Sequence, residues 1–208
     1  MRLVKILSVS LPVLLFTACN SENRNTETPV ENLPAKDTVV KVPKSDPKVV
    51  EIEQYSLAPG RAGKIRVNMP SDSLKKMIPA TNLKTVQREL EGVPYTAYEL
   101  RNTQTGNQLL LLAEESCANE TCNIFRIRVL SPKFKTEKNI RVGSTFAEVK
   151  NTYPLSFIGL GETDFVAISE KNKMTFTLDI TNFPPKHLDK IKPEDIPDST
   201  RVTSIILM

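Results

Sequence analysis

Lys64-Ile-Arg-Val-Asn-Met-Pro-Ser-Asp-Ser-Leu-Lys-Lys-Met-Ile-Pro79 and Asn139-Ile-Arg-Val-Gly-Ser-Thr-Phe-Ala-Glu-Val-Lys-Asn-Thr-Tyr-Pro154 are the two stretches that decide how this chain folds. A constant step of 75 positions, the step from Ile65 to Ile140, lays Arg66, Val67, Leu74, Lys75, Ile78 and Pro79 on Arg141, Val142, Val149, Lys150, Tyr153 and Pro154. A period this long points to a duplicated unit, although two copies fall short of the three or so that a solenoid needs. In the second stretch Gly143 permits a turn, Thr145 is placed to cap a helix, and Glu148 completes a capping box. Phe146, Val149 and Tyr153 then share one helical face, while Glu148 and Lys150 point away. Pro154 stops the helix. In the first stretch Asn68 stands at the glycine position, Ser71 is the expected cap, and Leu74 and Ile78 form the buried face before Pro79. Helices of about two turns are unstable alone, so both must pack on a sheet.

Outward from each helix, short apolar runs alternate with turn residues. After the first helix the runs 83–90, 95–102, 109–116 and 123–131 read as strands, with turns at Gly92-Val-Pro94 and Thr103-Gln-Thr-Gly-Asn107. After the second, strands are expected at 156–160, 164–170, 173–180 and 201–207, with Lys171-Asn172 as a tight hairpin link. A proline-rich excursion from Asn182 to Ser199, with one short helix at Pro193–Ile196, interrupts before the last strand. Val49 to Leu57 reads as a strand ahead of the first unit. The expected fold is α+β: an antiparallel sheet from two similar units, about 62–131 and 137–208, each a short helix followed by about four strands, within a globular domain at 49–208.

The run Val142-Gly143-Ser144-Thr145-Phe146-Ala147-Glu148-Val149, opening a helix that leads into an antiparallel sheet, resembles the repeat of beta-lactamase-inhibitor-protein-like domains and of the small lipoprotein of the outer-membrane assembly machinery. That resemblance implies protein binding across an exposed sheet face rather than catalysis.

Ahead of the domain, Arg2 and Lys5 precede an apolar run from Ile6 to Phe16, too short for the roughly 20 residues that span a bilayer. It ends in Phe16-Thr17-Ala18-Cys19, which is similar to a bacterial lipobox with Phe in place of the usual Leu. The reading is a signal peptide at 1–18, with Cys19 carrying the lipid anchor. Each buried acyl methylene contributes about 0.8 kcal/mol, so two or three chains hold stably. Asn20, not Asp, follows the cysteine, which favours the outer membrane over retention at the inner one. Residues 19–48 hold Pro29, Pro34, Pro43 and Pro47 among mixed charges, with no aromatic residue and no glycine. So little apolar surface cannot offset the entropy of ordering, and the segment reads as a disordered tether reaching roughly 30 Å as a coil.

Chemistry-bearing residues are few. With Cys19 consumed by lipid, Cys117 and Cys122 remain as an even pair in an oxidising compartment, and they bracket Ala-Asn-Glu-Thr between two apolar strands. The expectation is a disulfide at a hairpin tip; redox and metal roles lack a supporting histidine nearby. His187, the single histidine, sits in the proline-rich excursion with no nucleophile motif for it to serve. No G-x-S-x-G, H-E-x-x-H or phosphate-cradling loop occurs among the 7 glycines, and calcium-loop spacing is absent. Glu114-Glu115 and Glu194-Asp195 read as solvated acidic neighbours. Asn119-Glu120-Thr121 and Asp37-Thr38-Val39 match glycosylation triplets common by chance. The excess of 28 Lys and Arg over 24 Asp and Glu forms no dense basic cluster, and without tryptophan there is no stacking platform for nucleic acid or sugar.

The expected function is a non-enzymatic, cofactor-free envelope lipoprotein whose sheet domain binds another envelope protein. Two other classes stand beside it. An envelope-polymer hydrolase or transferase would need a cleft with two close carboxylates, and a small-ligand carrier would use the two-sided apolar strands at 109–112 and 124–130.

Overall fold

The computed structural model describes residues 54–181 and 191–208. The signal segment, Cys19, the tether, Asp37 and His187 lie outside the described residues. Among the described residues the architecture is α+β, mostly sheet, with the helices Ser71–Met77 and Phe146–Thr152 and two sheets.

The small sheet holds β1 (Ser56–Ala58), β2 (Arg61–Ala62), β3 (Ile65–Arg66) and β8 (Lys135–Thr136), in the order β3-β2-β1-β8. β1 runs parallel to β8 and antiparallel to β2. The strand expected at 49–57 is therefore shorter where it is described, beginning at Ser56. Tyr55 meets Phe134 edge-on at 5.3 Å between ring centres, which fixes β1 against β8. Gly63 has φ +57, and a Cβ there would stand 2.2 Å from the Gln54 carbonyl oxygen, so only glycine closes this turn.

Helix α1 (Ser71–Met77) is followed by β4 (Leu83–Leu90), β5 (Val93–Asn102), β6 (Gln108–Ala118) and β7 (Thr121–Val129). Helix α2 (Phe146–Thr152) is followed by β9 (Phe157–Leu160), β10 (Phe165–Ser169), β11 (Met174–Leu178) and β12 (Val202–Leu207). All eight strands form one antiparallel sheet in the order β4-β5-β6-β7-β12-β11-β10-β9. Each set of four is a meander, and the two meanders meet along their last strands.

The α2 start is as expected: the Glu148 amide donates to Thr145 Oγ1 (3.2 Å) and the Thr145 amide to Glu148 Oε2 (2.7 Å). Those hydrogen bonds, the backbone one first, hold the exposed Glu148 carboxyl below its usual range. The α1 start differs from expectation. Its cap position is Pro70, which has no side-chain acceptor, and Ser71 is the first helical residue, buried with no hydrogen-bond partner for its Oγ among the described residues. Asn68 adopts φ +65 at the position corresponding to Gly143, with φ +90; asparagine is one of the few side chains that tolerate this region. The Asn68 amide donates to the Ile124 carbonyl (2.7 Å) and the Ile124 amide to the Met69 carbonyl (2.9 Å). Likewise the Gly143 amide donates to the Val202 carbonyl (2.8 Å) and the Val202 amide to the Ser144 carbonyl (2.9 Å).

Two turns move from their expected places. The β4–β5 turn falls on Glu91 and Gly92, with φ +51 and +80, as a two-residue hairpin of right-handed strands requires. Val93 and Pro94 belong to β5, and Pro94 is tolerated because β5 begins pairing with β6 only at Ala97. The β10–β11 link is a 3₁₀ turn, Glu170–Asn172, closed by Lys173 at φ +50, so Ser169 pairs with Met174 and the loop is longer than Lys171-Asn172.

The core lies between the helices and one face of the large sheet. Leu83, Leu100, Leu111, Val129, Ile205, Phe176, Ala167 and Ile158 are successive cross-strand partners, an apolar row crossing all eight strands. Leu74 of α1 and Phe146 and Val149 of α2 are fully buried in the same cluster, and Tyr153 stacks on Phe176 at 5.7 Å.

Candidate functional site, the far face of the sheet

Side chains alternate across a strand, so the residues between those core positions point to the face away from the helices. The neighbouring cross-strand row there reads Lys84, Glu99, Leu112, Arg128, Ile206, Thr175, Ile168 and Phe157. Beside it run Val86, Ala97, Glu114 and Arg126 on one side, and Ser204, Thr177, Val166 and Gly159 on the other. One face thus carries an unbroken apolar row and the other a mixture of charged, hydroxyl and apolar side chains.

Apart from Lys84, the charges on the far face are paired into three groups. Glu99, 6% exposed, accepts from Arg101 Nη2 (2.6 Å) and Nε (2.9 Å) and from Arg88 Nη2 (3.3 Å). Arg101, with Lys84 and Arg88 adding to it, holds the Glu99 carboxyl below its ordinary range against the opposing effect of burial. Glu114, 2% exposed, accepts from Arg126 Nε, and Arg126 Nη1 donates to Glu162 (2.9 Å). Burial works against the charge on Arg126, but Glu162 and Glu114 outweigh it and raise its pKa above the ordinary guanidinium value. Arg128 Nη1 donates to Asp164 (2.8 Å) and to Ser204 Oγ (3.5 Å), and Ser204 Oγ donates to Thr177 Oγ1 (2.8 Å). Thr175 Oγ1, buried in the same row as Arg128, has no hydrogen-bond partner among the described residues.

Glu162 and Asp164 belong to the β9–β10 loop, a turn closed by the Gly161 amide on the Asp164 carbonyl (2.8 Å). Their partners lie on β7, three strand spacings or about 14 Å from β10. The loop therefore leans over the far face as a strap, and Gly161 comes close enough to Val166 that a Cβ there would stand 3.3 Å from its side chain. Along the β9 edge the Phe157 ring covers Gly159, and Phe157 and Leu160 remain 45% and 54% exposed.

The expected cysteine pair is bonded: Cys117 and Cys122 face each other directly across β6 and β7, Cα atoms 4.0 Å apart, with Asn119 and Glu120 at the tip. The Glu115 carboxylate and these two sulfurs lie within 4.8 Å of one another, but sulfurs joined to each other offer no thiolate to a metal. Gly143, Thr145, Glu148 and Val149 sit together at the start of α2, where their role is turn, cap and core.

Glu114-Glu115 was expected among solvated acidic neighbours and is not there. A bulge in the β6–β7 pairing at Glu114/Glu115 buries Glu114 beside Arg126, while Glu115 accepts from the Tyr98 hydroxyl (2.6 Å). Burial first, then Glu115, pushes the Tyr98 hydroxyl above its ordinary pKa. Glu194 and Asp195 lie in an exposed 3₁₀ turn, Pro193–Asp195. The ion-paired face was not anticipated as a unit, although the alternation Arg126-Ile127-Arg128-Val129 already marks β7 as polar on one side. Chemically, the face presents guanidinium, carboxylate and hydroxyl groups over a partly apolar floor. Each buried carboxylate is committed to arginine.

A solved structure that the chain matches is that of the uncharacterized protein yfeY from Escherichia coli, at 12% identity, covering 74% of this chain and 96% of that one, with a TM-score of 0.49. No protein-family model and no curated protein matches the chain.

Proposed function

We propose that this chain is a lipid-anchored protein of the bacterial cell envelope that binds another envelope protein through the far face of its large sheet and catalyses no reaction. The observation that carries this reading is the contrast between the two faces. An apolar row serves the core, whereas the other face mixes buried ion pairs and hydroxyls at its middle with the exposed Lys84, Arg88 and Phe157 toward its edges. Such a surface suits a folded partner more than a small apolar ligand, which needs a concave and mostly apolar pocket.

Anchoring rests on Cys19, the short apolar run before it, and the tether after it. No helix among the described residues is long and apolar enough to cross a membrane. Replacing Cys19 by Ala is expected to release the protein from membranes and to change its mature mass; membrane retention with the mass unchanged would remove the anchor from the proposal. The outer membrane is the proposed address.

The two helix-plus-meander units are proposed to be copies of one ancestral repeat. The 75-residue step brings α1 onto α2 residue for residue, and the exchanges between the turn and the last strand, Asn68–Met69 with Ile124 and Gly143–Ser144 with Val202, match in both units.

A photo-crosslinking residue placed at Arg88 or Phe157, both on the far face, tests the surface in cells, with Lys76 on the exposed side of α1 as control. The expected result is one stoichiometric adduct with an envelope protein from the far-face positions and none from Lys76. Adducts from Lys76 alone would overturn the assignment of the face.

A further inference from the structure

The strap presents two carboxylates, Glu162 and Asp164, two residues apart, and they meet two guanidinium groups, Arg126 and Arg128, also two residues apart on one face of β7. We propose that Glu162 and Asp164 hold the place of a partner's acidic side chains, and that in the complex an extended segment bearing carboxylates at alternate positions takes over Arg126 and Arg128. This rests on the far face being the docking surface, and it names the chemistry of what docks there.

The exposure of the groups decides which contacts can exchange. Glu114 is buried and remains with Arg126, whereas the Glu162 side chain is 58% exposed and that of Asp164 34%. Arg126 and Arg128 are only 8% and 19% exposed, so each incoming carboxylate must arrive as a strap carboxylate leaves, which keeps both guanidinium groups paired. A guanidinium that loses one carboxylate and gains another keeps a charge-assisted hydrogen bond, as Arg126 Nη1 and Arg128 Nη1 now make to the strap. With the strap carboxylates displaced, the strands' own charges on this face are Lys84, Arg88, Arg101, Arg126 and Arg128 against Glu99 and Glu114. That surplus is positive and selects an acidic chain. An extended segment suits it because alternate residues of a strand share one face, at the spacing of Arg126 and Arg128.

The probe is a fluorescent peptide copying the strap from Leu160 to Phe165, against the same peptide with Gln and Asn at its two acidic positions. The double variant Glu162→Gln with Asp164→Asn removes the internal competitor, and it is expected to bind the acidic peptide at least about tenfold more tightly than the native chain. The neutral peptide should bind neither. Adding Arg128→Gln to the double variant should abolish the gain. Arg128→Lys, which keeps the charge, should recover part of it in a chain whose thermal unfolding matches the double variant. A folded double variant that binds no tighter, or neutral and acidic peptides binding alike, would overturn the proposal. If in-cell crosslinks from Arg88 and Phe157 persist while the peptide gain is absent, displacement of the strap falls and the docking face stands. A peptide gain without any protein adduct would leave acidic-chain recognition and remove the envelope-protein partner.

Discussion

Leu74 and Val149 occupy matching places in the two helices, and neither has any exposed surface. Truncating Leu74 to Ala leaves a void under α1 and is expected to cost about 2–5 kcal/mol. Thr145→Ala, by contrast, removes one acceptor at an exposed helix start and should cost about 1 kcal/mol; urea unfolding of the two variants measures the difference. Glu99 gives a prediction in pH. Its carboxyl pKa is depressed in the folded chain, chiefly by Arg101, from an ordinary 4.5. A depressed carboxyl contributes stability above the unfolded pKa and loses it as pH falls through the folded value. Melting temperatures of the native chain should therefore fall below about pH 4.5 more steeply than those of Glu99→Gln. Parallel pH profiles would show that Arg101 and Arg88 do not stabilise the charge.

At the scale of elements, the β6–β7 hairpin carries the disulfide at its tip and the buried row at its middle. A cross-link closing so short a loop constrains the unfolded chain by only about 2 kcal/mol. Cys117→Ser with Cys122→Ser is expected to lower stability by no more than that, with far-ultraviolet dichroism unchanged; wholesale unfolding would mean that the bridge, not the core row, sets this pairing. The same hairpin shows what the sequence makes legible. Leu109 to Ala113 announces a strand by a long apolar run, whereas 124–129 holds none, so β7 is legible instead from the alternation of Arg126-Ile127-Arg128-Val129, and β4 begins and ends where its pattern of residues does. The α2 capping box is legible because all its partners lie within four residues. The α1 cap was misread because a serine beside a proline carries the usual signal, yet the helix starts one residue earlier and buries that serine. The strap and its arginines were hidden for a different reason. Glu162 and Asp164 lie 36 positions from their partners, and only the antiparallel order of the sheet, with two last strands meeting, brings them together. β2, β3 and β8 are two residues each, too short for a periodic pattern.

For the molecule as a whole, the large sheet separates two tasks by face. The helix side is apolar and closed by α1 and α2, so substitutions there change stability. The far side is assembled from charges whose partners come from both meanders, so substitutions there should change binding with little loss of fold where the group is exposed. Arg88→Ala, exposed and on the rim of the Glu99 group, should shift the melting temperature by less than about 2 °C, as surface changes do, and weaken acidic-peptide binding. The two meanders share one backbone seam, in which Val129, Arg128 and Ile127 pair with Ile205, Ile206 and Leu207. That seam sets a timetable for the emerging chain. For a chain exported behind its signal segment, β7 clears the membrane well before β12, and until β12 follows, β7 has a finished neighbour on one side and an unsatisfied backbone on the other. A chain cut short before Val202 would leave both β7 and β11 as bare strand edges beside apolar side chains, the kind of surface that seeds aggregation. Quality control of this protein thus hinges on the arrival of six residues.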